Sequence, residues 1–344
     1  MTKRYLGNII TQNPTAPAGP YQDSAASGVW SLAEAFAYSK AGLWPIAGNQ
    51  LTRAVYAGGV VGAGRVVDIS LFDMATAGNS TDFGDLTTVT YTAGTAASST
   101  RGVWGGGGLD GASDRNVMDY VTVATTGNAI DFGDLSATKG GVSGVSNDTR
   151  GVFGGGIPVG GADQNVMEYV TIATTGNVID FGDLTIARQN ASGFGSPTRG
   201  VFSGGALAAG TKQNVMDYIT IATAGNATDF GDLTEARSFS AGASSNVRGV
   251  HMGGSAAAKS NVIDFVTIAT AGNATDFGDL TAARVVSGGA SSSVKAFGIA
   301  GLTSVAVNTI DVITIATVGN ATDFGDAINA AYGNTGLSNA HGGL

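Results

Sequence analysis

The sequence predicts an all-β fold, a six-bladed β-propeller, and three features predict it. First, Asp-Phe-Gly-Asp occurs six times, centred on Phe83, Phe132, Phe181, Phe230, Phe277 and Phe324, at spacings of 49, 49, 49, 47 and 47 residues. Second, each copy holds about four short segments of strand character bounded by turn residues, and none holds a clean apolar stripe of helical period. Third, the array is cut out of phase at its two ends, as a ring closed by pairing its first and last strands requires.

The third copy shows each strand in order. Val152 and Phe153 lead into Gly154, Gly155 and Gly156; Val166 to Ile172 is β-branched and apolar; Val178 to Leu184 is short; Ile186 to Phe194 has small residues where neighbours can pack closely. In Thr-Thr-Gly-Asn at 174–177, Gly176 is free to take positive φ and so to turn the chain. The first copy begins at Thr52-Arg53 with no Ser/Gly-rich strand ahead of it, whereas the last runs on and stops where another Thr-Arg-Gly would fall. Residues 331 to 341 are therefore expected to supply the missing strand of the first blade, beside the strand that starts at Arg53.

Composition narrows the functional classes. With 55 glycines among 344 residues, no Gly-X-Y period and 43% hydrophobic residues, the chain is neither collagen-like nor disordered. A net charge of −9 gives no electrostatic footprint for nucleic acid or anionic lipid, so nucleic acid is excluded as a partner. No run approaches the roughly 18 apolar residues of a membrane span, so membrane insertion is not expected. The N-terminus lacks the continuous apolar stretch of a signal peptide, so release by lysis or inside a particle is expected. Cysteine is absent, which removes disulfides and thiolate metal sites.

Residues 1–50 differ from the repeats, carrying four of the six prolines and two of the three tryptophans. Ser31 and Glu34 form a capping box, good helix formers follow, and Gly42 can end the turn, so a short helix is expected at 32–40. The proline-spaced arm before it reads as a docking peptide, with Trp30, Phe36, Tyr38 and Trp44 as candidate docking residues. The same four aromatics could equally pack as a lid on the propeller's own face.

The glycine groups Gly105 to Gly108, Gly154 to Gly156, Gly204-Gly205 and Gly253-Gly254, with the copy length, resemble kelch repeats, although the later Tyr and Trp of kelch are not kept. The whole repeat resembles the kelch-like modules of structural proteins of marine bacteriophages. Residues 24–45, SAASGVWSLAEAFAYSKAGLWP, look like a segment recurrent in tail and appendage proteins of cyanophages. Together these resemblances cover nearly the whole chain. They imply a virion component of tail, neck, fibre or capsid-decoration type, assembled in the host cytoplasm, with other virion proteins as partners. The alternative is a module that binds a host receptor or glycan during adsorption.

Charged residues repeat as well. The Asp-Phe-Gly-Asp copies hold twelve of the 26 acidic residues, and a second acidic position holds Asp119, Glu168, Asp217, Asp264 and Asp311. Arg53, Arg101, Arg150, Arg199, Arg248 and Lys295 fill one basic position, and Lys139, Arg188, Arg237 and Arg284 another. These predict one buried or half-buried Asp–Arg pair in each blade, with Asp229, Asp232, Arg199 and Arg248 as the representative residues.

No catalytic residue, cofactor or metal site is expected. Acid/base catalysis needs carboxylates in unlike environments, and a symmetric ring gives them like ones. Two carboxylates separated by Phe and Gly are few for calcium, although repeated calcium sites remain an alternative. Of the two histidines, His251 aligns with Trp104, Phe153 and Phe202 and reads as a core or channel-wall substitution, while His341 is near the C-terminus. Six-bladed sialidase-type glycosidases carry an Asp-box, Ser-x-Asp-x-Gly-x-Thr-Trp, that is missing here, and kelch-type copper oxidases need Cys and His that this chain lacks. Recognition is expected where copies differ, in the loops after the glycine strands, with Asp110, Arg115, Asp163, Gln164, Lys212 and Lys259 as candidates. These loops carry no aromatic residue, which weighs against a sugar site.

Overall fold

The structure is a computed structural model that describes residues 52–108, 114–285 and 288–339. The described residues form six four-stranded antiparallel sheets and one small two-stranded hairpin, with no helix. The six sheets are the blades of a propeller. Blade 4 serves as the example, its strands running outward from the axis as Ser192–Gly195, Arg199–Ser203, Val215–Thr220 and Thr228–Asp232. The expected strand at 186–194 shortens to its last residues, because 186–191 carry the chain from the rim of blade 3 back to the axis and bury Arg188 on the way. The expected helix at 32–40, with Trp30, Phe36, Tyr38 and Trp44, lies outside the described residues.

The ring closes through blade 1. Its innermost strand is Thr335–Ser338, which pairs antiparallel with Arg53–Ala57 in the register Ala54 to Ser338 and Ala57 to Thr335. Apolar packing crosses the same junction, where Tyr56, Phe72 and Met74 of blade 1 cluster with Phe297, Ile299 and Phe324 of blade 6. Every hydrophobic cluster spans two adjacent blades in this way; Phe181 of blade 3, for example, packs with Phe202 and Ile219 of blade 4. Burial between blades, more than within one, is therefore what removes apolar area from water.

At the axis the innermost strands approach to main-chain contact. A Cβ at Gly144 would lie 2.0 Å from the Thr95 carbonyl oxygen, and one at Gly193 would lie 1.9 Å from that of Gly144. Five blades carry Gly at this position and blade 2 carries Thr95. The small residues expected near the end of each copy are thus a steric requirement of six strands meeting on one axis.

The Asp-Phe-Gly-Asp motif builds the rim. In blade 4, Met216 pairs with Gly231 and Asp217 with Asp229, so Phe230 is the extra residue of a β-bulge and points into the core at 2% exposure. Gly231, at φ +134, lies against the next blade, where a Cβ would sit 2.6 Å from the Gly272 carbonyl. The Gly-Asn of each repeat docks on this bulge in the blade before it. Gly272 N–H donates to Phe230 O at 2.7 Å, Asp232 N–H donates to Asn273 Oδ1 at 3.1 Å, and Ala274 N–H donates to Asp232 O at 2.8 Å. The last clasp closes the circle, Gly78 N–H donating to Phe324 O and Asp326 N–H to Asn79 Oδ1. The bulge and clasp together leave no straight outer edge for a foreign strand to extend.

The structure places the charge pairing elsewhere than at Asp229, Asp232, Arg199 and Arg248. Asp229 is exposed and accepts from Gly231 N–H, and Asp232 works through its backbone. Arg199 and Arg248 lie over the Tyr218 and Phe265 rings at 4.2 and 4.3 Å, and donate to the Ile268 and Ile315 carbonyl oxygens of the next blade. The outer carboxylates stay hydrated because a rim position offers them water at no desolvation cost. Guanidinium groups beside orphaned carbonyls at a blade junction find partners there without a carboxylate.

Candidate functional site

The buried ion pairs come from the second pair of repeat positions and link neighbouring blades. Lys139 reaches Glu168 at 2.7 Å, Arg188 reaches Asp217 at 3.0 Å, Arg237 reaches Asp264 at 2.6 Å and Arg284 reaches Asp311 at 3.0 Å. Each basic residue follows the rim strand of one blade, and each acid sits on the third strand of the next. In three of the four pairs a threonine hydroxyl from the basic residue's own segment completes the acid's shell, as Thr234 Oγ1 does for Asp264 at 2.6 Å, while Glu168 accepts from Ser136 N–H at 3.2 Å. Burial lowers the pKa of Arg188 and Arg237, and their acid partners oppose that shift.

The series breaks at blades 1 and 2. Ser70 and Ala331 replace acid and base in blade 1, and Thr90 replaces the base opposite Asp119 in blade 2. Asp119 keeps its threonine, Thr87, at 2.6 Å, and burial raises its pKa against the opposing effects of Thr87 and Arg115. Arg115 was expected to serve recognition. It is half-buried, and its charge opposes the effect of burial on Asp119.

The other candidate loop residues are divided. Asp163 accepts from the main chain of Ala208 and from Gln189, tying blade 3 to blade 4, and Gln164 turns back to the Ala162 carbonyl at 2.9 Å. Lys212 points at the Phe239 ring, 6.0 Å from its centroid, and Lys259 stands exposed at a hairpin tip. Asp110 lies outside the described residues. Much of this loop set therefore braces the scaffold.

Closer to the axis, on the same face, lies a ring that sequence reasoning missed. The segments that return from rim to axis place Thr92, Gly141, Asn190, Phe239 and Gly333 at one repeat position, all left-handed, with φ of 50, 66, 53, 54 and 71°. The conformation has a structural cause. At three of them it aims the N–H at the equivalent carbonyl of the blade before: Thr92 at Gly333 (2.9 Å), Asn190 at Gly141 (2.8 Å) and Phe239 at Asn190 (3.1 Å). Inside this ring is a cavity of about 60 Å³ whose lining includes Thr92, Asn190, Ser192, Phe239, Ser240 and Thr335. Tyr91 caps the blade 1 sector, its ring lying where a side chain at Gly333 would project. It meets Tyr332 edge-on at 6.1 Å. The aromatic residues missing from one loop set are thus supplied by the other. The signal was present in the sequence: two copies carry Gly where three others carry Thr, Asn or Phe.

His251 is 1% exposed, and its Nδ1 lies 2.7 Å from Ser203 Oγ. Burial, with the Arg237 charge second, holds its pKa well below the ordinary value. The substitution is a coupled one. In blades 2 and 3 a glycine, Gly105 or Gly154, lies beneath the next blade's Phe; blade 4 has Ser203 there and blade 5 has His251 to bond it. Enclosure inside the wall makes this pair part of the packing, and His341 lies outside the described residues. Among the described residues, no three His, Asp or Glu side chains converge as a metal site. No protein-family model matches the chain, and no curated protein is similar to it in sequence.

Proposed function

We propose that this chain is a non-enzymatic structural component of a bacteriophage particle, of tail, neck, fibre or capsid-decoration type, whose residues 1–50 dock on another virion protein and whose propeller is thereby presented. A closed propeller is a scaffold for a binding or structural module, and the finer reading needs a reason for attachment at one side and display at the other. One observation carries it. The second strand of blade 1 starts at Arg53 and its first strand ends at Ser338, with Arg53 N–H donating to Asn339 Oδ1 at 3.0 Å, so both ends of the ring lie on one face. The variable loops follow the far ends of the second strands and therefore lie on the opposite face. The resemblance of residues 24–45 to appendage proteins of phages supplies the setting.

The test is incorporation. Particles are purified by density gradient from a host producing either the full chain or the chain lacking residues 1–30, and the protein is quantified by mass spectrometry. The full chain should co-purify with particles and the truncated chain should stay in the cleared lysate with an unchanged propeller melting temperature. Equal incorporation of both would remove the docking arm, and absence of the full chain from particles would remove the virion reading.

A further inference from the structure

The face on which both ends of the ring lie carries a second repeated device. In each blade the residue before the outer basic position accepts, through its carbonyl, the N–H of the first residue after the third strand. That residue's own carbonyl is held by the base of the blade before. In blade 6, Ile315 N–H donates to Val294 O at 2.8 Å and Arg248 donates to Ile315 O at 2.8 Å; in blade 5, Ile268 N–H donates to Val247 O at 2.9 Å and Arg199 donates to Ile268 O at 2.9 Å. Blades 1 to 4 make the same bonds through Thr52, Thr100, Thr149 and Thr198. Only the main chain of this tip residue is used, so the fold accepts either threonine or valine there.

The two differ in what they cost. The threonine hydroxyls bond back into their own blades, the shortest of these bonds being Thr149 Oγ1 to Asn147 Oδ1 at 3.0 Å. Valine gives up that bond and puts a methyl group in water. Yet Val247 and Val294 occupy adjacent blades and are 65% and 56% exposed. Val318, also 56% exposed, lies on the same face in the turn that docks blade 6 on blade 5, where blades 2 and 3 carry Thr126 and Thr175. The exposed Ile130 and Ile179 stand one to a blade on the rim strands of blades 2 and 3. Blades 5 and 6 thus gather three exposed valines where blades 2 and 3 present hydroxyls, a cluster rather than single scattered residues.

Positive charge lies among the valines. Arg248 follows Val247 and reaches the carbonyl of Ile315, the residue bonded to Val294; Arg199 stands in the same relation to Val247, and Lys295 follows Val294. All three bases are half-buried and meet carbonyl oxygens and an aromatic ring. Among the described residues none of the three forms an ion pair, whereas Lys139, Arg188, Arg237 and Arg284 each do. One basic ring is neutralised within the chain and the other is not.

We propose that Val247, Val294 and Val318, with Arg199, Arg248 and Lys295, form a docking surface for a different protein that presents carboxylates around an apolar centre. Covering the valines removes apolar area from water, and a carboxylate brought to a half-buried base makes a charge-assisted bond that the fold does not supply. A second copy apposed through the same face would set these cations against one another. A polyanion such as nucleic acid would use the cations and leave the valines wet. The inference rests on the reading that this face is turned to a particle, and it names the chemistry the face meets there. The chain enters the ring at Thr52 in blade 1, and Lys295 donates to the Met74 and Ala75 carbonyls of that blade, so the sector begins beside the entry. A tether and a small docking surface acting on one partner reinforce each other, because the first contact raises the effective concentration for the second.

The test uses the full chain and the double variant Val247→Thr, Val294→Thr, which places at both tips the residue of the other four blades and should keep the melting temperature. Val318→Thr, the residue of blades 2 and 3 at that turn, is read alongside it, so that a folding defect at the tips does not decide the result. Val305→Thr is the control, a 65% exposed valine at a hairpin tip on the opposite face. In gradient-purified particles the double variant should be incorporated at least fivefold less than the natural chain, Val318→Thr should fall in the same direction, and the control should match the natural chain. Equal incorporation of the folded variants overturns the inference and leaves the docking arm standing. A second readout needs no particle: the isolated full chain is titrated with 8-anilinonaphthalene-1-sulfonate, an apolar anion, and followed by fluorescence. Binding should weaken at least threefold in the double variant and should weaken as salt is added, with the control unchanged. Unchanged binding in the double variant overturns the inference whether or not particles take up the protein. A dimer in sedimentation velocity that the double variant abolishes assigns the face to a second copy and overturns it as well.

Discussion

The rim and the axis of this propeller are both built from one repeat, yet they treat repetition in opposite ways. At the rim, the Gly-Asn turn docks on Asp-Phe-Gly-Asp in the same geometry at all six junctions, through main-chain groups and an asparagine amide. At the axial mouth, the left-handed ring keeps its backbone bonds while its side chains change from Thr to Gly to Asn to Phe. What every blade repeats is what every junction needs. What only some blades carry is not required at every junction.

The ion-pair ring lies between these two radii and tests the first half of that comparison most severely. Asp217→Ala leaves the fully buried Arg188 guanidinium without its carboxylate and is expected to cost about 3–5 kcal/mol. Urea denaturation measures it, and a loss below 1 kcal/mol would mean the repeated pair is ornamental. Next comes a paired test at the rim. Gly231→Ala forces a Cβ against the Gly272 carbonyl and should cost about 3 kcal/mol, whereas Asp229→Asn, two residues away, should leave the melting temperature unchanged. Equal effects would return the role of the motif to its carboxylates.

The smallest effect concerns a position that does not repeat. His251 has a folded-state pKa below its unfolded value of about 6.5, so the unfolded chain binds the extra proton. Its contribution is therefore fully present above that pH and is lost progressively as pH falls below it. The double variant His251→Phe, Ser203→Gly recreates the Phe-over-Gly packing of blades 2 and 3 and should lose less stability than the natural sequence between pH 7.5 and 5. Melting curves at both pH values decide this, and parallel losses would remove His251 as the cause.

Much of the fold was legible because it is enforced locally and repeatedly. The six spacings imply six equivalent units, and the bulge glycine, the turn glycine and the small axial residues each mark a place where the chain cannot bear a side chain. The out-of-phase ends implied the pairing of Thr335–Ser338 with Arg53–Ala57. The charge pairs were legible only as sets. Five charged positions recur with the same period, and periodicity cannot say which faces which. Asp229 and Asp232 were the conspicuous acids in the motif, yet Asp217 and Asp264 are the ones buried with a base.

The sequence by itself determined the blade count, the strand content, the closure of the ring and the absence of thiol chemistry, because each follows from period, local propensity or composition. Only the tertiary structure decided that Arg188 meets Asp217 across a blade junction, that Asp-Phe-Gly-Asp is a clasp between neighbours, and that Thr92, Asn190 and Phe239 share one opening. In the chain Thr92 and Asn190 are 98 positions apart, and Asn190 and Phe239 are 49 apart. A repeat records what each unit must be, while the contacts between units depend on how far each is rotated about the axis, and that rotation is fixed by packing.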